Sequence, residues 1–317
     1  MTMKSNKLIN FLTKENSKAF FAVVLTCAFF VLRNSAPNNA LPPEDENSPY
    51  RVEAIPLPDD LFFAQEKISL NDPDVKERLD REILVNTYWQ SNALLMLKRA
   101  NKYFPIIEPI LAEYGVPDDF KYLAVIESGL QNVTSPAGAK GFWQIMPKTG
   151  KEYGLEINSN VDERLHLKKA TEAACSYLIR AKRELGSWTL AAASYNAGVQ
   201  GIKRRLEEQQ VDNYFDLLLG EETGRYVFRV LALKRIFSNP EGHGFFVQSE
   251  DLYQPIPTKT VVVDTAITDF VKFAKTNGVT YKTLKIHNPW LRDPFLNNAS
   301  RKVYEIEIPL LAEDQRQ

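Results

Sequence analysis

Apolar residues recur at three- and four-residue intervals through the middle of the chain, the period of helices that bury one face. Asp72 can cap a helix and Pro73 suits its first turn; the pattern then runs through Ile83, Leu84, Leu94, Leu95 and Leu97. A further helix is expected over Tyr103 to Tyr114, ended by Gly115. Pro117, with Asp118 and Asp119 near the positive end, opens the next. In it Phe120, Leu123, Ala124 and Glu127 fall at i, i+3, i+4 and i+7, so a carboxylate occupies a slot where the pattern expects an apolar side chain. Gly129 can end this helix, and Ser135-Pro136 with the Gly138-Ala139-Lys140-Gly141 run makes a flexible connection.

The periodicity resumes over Val161 to Leu185, with Ala170, Ala174, Tyr177, Leu178, Ala181 and Leu185 on one face and Gly186 closing it. Trp188 to Ala197 is short and Ala-rich, suited to close packing, and Gly198 turns the chain after Tyr195-Asn196. Glu221 to Phe237 reads as another helix, stopped by Asn239-Pro240. After residues 241–258, a connection punctuated by Gly and Pro, the pattern changes. Thr260 to Val263 reads as a strand, Ala266 to Ala274 and Tyr281 to Ile286 as short helices, and Val303 to Ile308 as a second strand. The expected fold is mainly α, with a small α+β module at residues 259–310.

The start of the chain has a different character. Lys4, Lys7, Lys14 and Lys18 precede a weakly polar-to-apolar run from Ala19 to Leu32, short for a membrane span and suited to a signal sequence. Residues 1–36 are therefore expected to act as a signal peptide or signal anchor, which implies export to a periplasm. The protein would be soluble there if the segment is cleaved and membrane-associated if it is retained. Residues 37–66, rich in Asn, Pro, Asp and Glu, read as a linker ahead of a helical domain over 67–240.

Composition narrows the chemistry. In 317 residues the chain can hold one domain with a sizeable core and one small one. A formal charge of −1 gives no reason to expect a nucleic-acid partner. The two cysteines, Cys27 and Cys175, lie in unlike contexts, and Cys175 reads as a buried free thiol. The three histidines, His166, His243 and His287, lack metal-ligand spacing, so a metalloenzyme is not expected. Glu127 aimed inward would be partly desolvated, which favours its protonated form and suits a general acid; turned outward, it would be an ordinary residue near a helix end. Phe142-Trp143-Gln144-Ile145-Met146 sets rings beside an amide, a combination that can cover a pyranose and bond its hydroxyl and acetamido groups. Core packing by Phe142, Trp143 and Met146 is the plainer reading of the same residues.

Four ordered stretches carry a resemblance: Glu127-Ser128; Gly141-Phe142-Trp143-Gln144-Ile145-Met146; Ala193-Ser194-Tyr195-Asn196-Ala197-Gly198; and Glu222-Thr223 with Tyr226. Together they resemble the motifs of family 1 lytic transglycosylases, the goose-type-lysozyme-like enzymes of glycoside hydrolase family 23, over about residues 103–238. The resemblance implies a lysozyme-like helical domain that binds peptidoglycan glycan strands and cleaves the β-1,4 bond between N-acetylmuramic acid and N-acetylglucosamine. It implies Glu127 as the one catalytic carboxyl, first acid and then base, leaving a 1,6-anhydro ring, with no metal or organic cofactor needed. Gln144, Tyr195, Asn196 and Tyr226 would orient the sugar, Ser128 would help set the Glu127 carboxyl, and Met146 would line the cleft. Glu222 reads as structural. The strand-helix-helix-strand order of the C-terminal module is similar to LysM, with an insert from Trp290 to Ser300 that departs from that pattern. The alternatives are a hydrolytic muramidase of the same fold and a non-catalytic peptidoglycan-binding envelope protein. Nothing in the sequence speaks to the oligomeric state.

Overall fold

The computed structural model describes residues 52–310. Two short strands come first, β1 (Leu61–Phe63) and β2 (Glu66–Ile68), paired antiparallel with Leu61 opposite Ile68. Ala64 and Gln65 make the turn between them at φ 50° and 67°, the positive values that a two-residue hairpin favours. Leu61, Phe63 and Ile68 are buried, and the Asp119 carboxylate accepts from Ala64 N at 2.6 Å and from Lys234 Nζ at 2.7 Å. The last residues of the stretch expected as a linker, 37–66, are thus part of the folded body. Three-residue strands are too short to announce themselves by periodicity.

Helix α1 (Pro73–Tyr88) begins as expected, with Asp72 Oδ1 accepting from Asp74 N at 2.9 Å. It stops at Trp89, and α2 (Gln90–Glu113) then runs unbroken through Pro105 and Pro109. The separate helix expected over Tyr103 to Tyr114 is the second half of α2. Each proline removes one backbone donor, and burial of Ala93, Met96, Leu97, Ala100, Ile107 and Leu111 along one stripe holds the rod together across both. A 3-10 turn (Asp118–Phe120) leads into α3 (Lys121–Ser128), and α4 (Pro147–Glu152) follows a long loop.

Helix α5 runs Leu167–Leu185, α6 Trp188–Ala197, α7 Val199–Gln209 and α8 Glu221–Ser238. The expected start at Val161 is corrected: residues Glu163–Leu165 form a 3-10 turn, and α5 begins only after His166. Helix α1 packs along α8, and α5 packs against α2 and α6. Phe63, Phe120, Leu123, Trp143, Tyr214 and Phe228 are among the largest side chains of the core so enclosed. Cys175 is a buried free thiol within it, pushed up to about 12 by burial; Cys27 and the 1–36 segment lie outside the described residues. Among the described residues no helix is long and apolar enough to cross a membrane.

The C-terminal module pairs β3 (Thr258–Val263) antiparallel with β4 (Tyr304–Pro309), Val263 opposite Tyr304, with α9 (Phe270–Thr276) and α10 (Tyr281–His287) between them. Asp269 caps α9 through Val271 N at 2.7 Å, and Thr280 caps α10 through Thr283 N at 3.1 Å. Phe270, Leu284, Trp290, Leu291, Leu296, Ile306 and Ile308 form its core, and Val161 and Leu165 of the helical body complete it. The 290–300 insert, which sequence marks only as a departure, supplies Trp290, Leu291 and Leu296 to that core.

Candidate active site

Glu127 stands in the last turn of α3, on the face where Phe120, Leu123 and Ala124 are wholly buried. Gly129 ends the helix at φ 58° with its N–H on the Val125 carbonyl at 2.8 Å, a left-handed cap that glycine adopts without strain. The half-buried Glu127 side chain is reached by the Tyr226 hydroxyl, which donates to Oε1 at 2.6 Å. Burial raises the Glu127 carboxyl above its ordinary value; the Tyr226 hydrogen bond and the Arg229 charge pull the other way, Glu222 adds to the rise, and the net shift is upward. No cation pairs with it among the described residues, and Arg229 instead donates to the Ile126 carbonyl at 3.3 Å.

The loop after α3 brings up the aromatic motif. Trp143 is buried entirely, its Nε1 donating to Thr171 Oγ1 at 2.8 Å, and Phe142 packs on Tyr103 with ring centroids 4.7 Å apart. Both are core residues, as the plainer reading had it. Gln144 is not: it sits at φ 45°, a conformation that costs a non-glycine residue roughly 1–2 kcal/mol. Its Nε2 holds the turn through the Gly141 carbonyl at 2.8 Å and the Val133 carbonyl at 3.1 Å, leaving Oε1 as the amide's other polar atom. Met146 is 42% exposed. Gln144 and Met146, with Thr149, Tyr177, Tyr195 and Asn196, line a cavity of about 250 Å³.

The third motif faces this loop from α6, and the fourth, on α8, reaches Glu127 and the end of α6. The N-terminus of α6 is held twice, by Ser187 Oγ accepting from Leu190 N at 2.9 Å and by Glu66 of the hairpin accepting from Trp188 N at 2.6 Å and Thr189 N at 2.9 Å. At its other end the Tyr195 hydroxyl donates to the Trp143 carbonyl at 2.8 Å. Asn196 Nδ2 donates to Glu222 Oε1 at 3.1 Å while its Oδ1 accepts from Thr223 Oγ1 at 2.7 Å, which ties α6 to the start of α8 and gives Glu222 the structural part expected of it. Burial pushes the Tyr195 and Tyr226 hydroxyls well above their ordinary range, and the nearby Glu127 carboxylate adds to the rise in both, so both stay protonated as donors.

Of the expected site residues, Glu127 and Tyr226 do not line that cavity, and neither does Ser128. It is buried, with Oγ 3.0 Å from the Ala124 carbonyl and 2.9 Å from the Phe142 carbonyl, and it accepts from Gln131 N at 3.2 Å. It therefore fastens α3 to the aromatic loop rather than facing a ligand or the Glu127 carboxyl. Arg229 is the residue that sequence reading passes over; its place one turn beyond Tyr226 on α8 is the signal that could have found it.

Residues 104–217 match the model of the transglycosylase SLT domain, and residues 259–311 match that of the soluble lytic transglycosylase C-terminal LysM-like domain. Membrane-bound lytic murein transglycosylase D from two Escherichia coli strains is 29% identical over 223 residues, which cover 68% of this chain and 48% of the relative. The chain thus spans about half the length of the curated relatives it matches. Of solved structures, the 70 kDa soluble lytic transglycosylase of Escherichia coli overlays with a TM-score of 0.39 at 19% identity, covering 56% of this chain and 33% of that one. An inactive mutant of the lytic transglycosylase Slt from Pseudomonas aeruginosa gives 0.35 at 18%, covering 48% and 26%.

Proposed function

We propose that this chain, which carries a transglycosylase SLT domain and a LysM-like domain, is a peptidoglycan lytic transglycosylase that works with Glu127 alone as its catalytic carboxyl. The observation that carries the reading is the Glu127 carboxyl itself: half-buried, raised by that burial, hydrogen-bonded by Tyr226, and free of any cation partner among the described residues. A carboxyl so placed holds a proton at a pH where an exposed one has lost it, which a general acid needs.

With Tyr226 donating to Oε1, the proton rides on Oε2. Glu127 gives it to the glycosidic oxygen between N-acetylmuramic acid and N-acetylglucosamine as the bond to C1 breaks. The carboxylate left behind, steadied by the Tyr226 hydrogen bond and the Arg229 charge, takes the proton of the muramoyl C6 hydroxyl as that oxygen closes on C1. Both protons are accounted for and Glu127 ends as it began. The acid and base steps need one group because no external water is activated. Gln144 and Asn196 are the amides that meet the sugar's hydroxyl and acetamido groups, with Tyr195 and Met146 as the wall behind them.

Peptidoglycan lies outside the cytoplasm, so the reading requires export, for which the Lys-flanked run from Ala19 to Leu32 is suited. Retention of that segment would make the protein membrane-associated. Mass spectrometry of muropeptides released from purified peptidoglycan tests the reaction. Products lacking one water relative to hydrolytic fragments are expected. Reducing ends would instead mean a hydrolytic muramidase, and no products from folded protein would leave a binding protein.

A further inference from the structure

The helical body and the C-terminal module share the segment 158–165, and its two sides face different tasks. On the module side Asn160 is a buried node: its Nδ2 donates to the Phe295 carbonyl at 2.8 Å and to Asp293 Oδ2 at 3.1 Å, and its Oδ1 accepts from Asn297 N at 2.8 Å. Arg292 N donates to the Asn160 carbonyl at 2.8 Å, and Asp162 N donates to the Trp290 carbonyl at 2.9 Å. The 290–297 stretch thus grips the segment along its backbone, while Val161 and Leu165 sink into the module core.

On the body side stands Arg164, 4% exposed. Its Nε and one terminal nitrogen bind the Asp162 carboxylate at 2.9 and 2.8 Å, a fork that fixes the guanidinium plane. The other terminal nitrogen donates to the Gly138 carbonyl at 2.9 Å and to the Ile145 carbonyl at 3.2 Å, the two ends of the turn that carries Gln144. Lys140, inside that turn, adds an ion pair to Asp162 at 3.2 Å. The backbone closes on the same point: a Cβ on Gly141 would stand 2.0 Å from the Arg164 carbonyl oxygen, so only glycine lets the turn come this near.

We propose that Arg164 is a positioning residue through which the C-terminal module holds the Gln144 turn in its sugar-binding shape. Module contacts fix Asn160 and Asp162, Asp162 orients Arg164, and Arg164 spans the turn at Gly138 and Ile145. The inference rests on the reading of Gln144 as a sugar-binding residue. It gives the module a part in the reaction that does not depend on the module touching glycan.

The test is steady-state kinetics of the full chain on soluble glycan strands for Arg164→Gln, Asn160→Ala and the double variant, each checked for folding by circular dichroism. Loss of folded fraction lowers apparent kcat and leaves KM alone, whereas a loosened turn raises KM. Each single variant is expected to raise KM about tenfold, in keeping with the sensitivity of bound geometry to shifts of about 1 Å. The double variant is expected to be no worse than the worse single one, because both cut the same relay. An unchanged KM in Asn160→Ala, or KM effects that multiply in the double variant, overturns the proposal. Should Arg164→Gln fail to fold, Asn160→Ala decides alone, since the hydrogen bonds of the Asn160 side chain go to the module. Wild-type protein that releases no product in the same assay would count against the proposed reaction instead.

Discussion

Glu127 and Asp162 are both carboxylates withdrawn from water, and they are driven in opposite directions. Asp162 is 3% exposed, and burial alone would raise it; the Arg164 fork and the Lys140 ammonium more than offset that and hold it below the usual carboxylate range. Glu163 beside it behaves alike, held down against its own burial by Lys169, the Glu156 N–H and Lys302. Glu127 meets burial with one neutral donor and one cation that is not in contact, and it goes up. Burial pushes all three upward, and the company decides the outcome. A carboxylate paired with cations is a fastener, and one left with a tyrosine is available for proton transfer.

The largest test of that contrast removes the titrating group. Glu127→Gln keeps the shape and is expected to cut turnover by about 10²–10⁴ or more, the range for a general acid-base group, while glycan binding persists; full activity in the folded variant would end the mechanism. Next in size is Asp162→Asn. Leaving Arg164 buried without its counter-charge is expected to cost about 3–5 kcal/mol of stability at neutral pH, read by denaturant unfolding. Because the folded Asp162 is depressed, its contribution is present above its unfolded value and fades as pH falls through the folded one, so the gap between variant and wild type should close in acid.

Two smaller effects sharpen the comparison. Tyr226→Phe removes the donor that favours the Glu127 carboxylate, so the pH limb of the rate assigned to Glu127 should move to higher pH and the rate should fall about ten- to a hundredfold, the worth of one hydrogen bond of about 1.5–3 kcal/mol to a charged group. A limb that stays in place would make Tyr226 a packing residue. The smallest effect is on stability. Glu127 is raised in the fold, so the fold gains from its protonated form in acid and loses that gain as pH rises from the unfolded value through the folded one. Glu127→Gln should accordingly melt slightly higher than wild type at neutral pH and no higher in acid, the reverse of Asp162→Asn.

Much of this was legible in the sequence. The i, i+3, i+4, i+7 spacing put Glu127 on the buried face of α3, and Phe120, Leu123 and Ala124 do line it. Caps at Asp72 and Gly186 lie where composition placed them. What failed shares a cause: it depends on partners distant in the chain. Pro105 and Pro109 argue locally for a break, and only the surrounding core shows that α2 outlasts them. Val161 looks like the start of a helix face until the module arrives to bury it. The hydroxyl of Ser128 follows the carboxyl in sequence, yet it is drawn to the Phe142 carbonyl across the aromatic loop. Arg164 carries no local signal at all, since its meaning lies in the carbonyls of Gly138 and Ile145.

The measurement that reaches the contrast most directly is a carbon-13 NMR titration of the Glu127 and Asp162 carboxyls in one folded sample, assigned with Glu127→Gln and Asp162→Asn. Glu127 is expected to titrate above its ordinary value of 4.5, and Asp162 below its ordinary 3.8. Glu127 titrating at or below 4.5 would contradict the account, because burial would then give the carboxyl no advantage over an exposed one as the proposed proton donor.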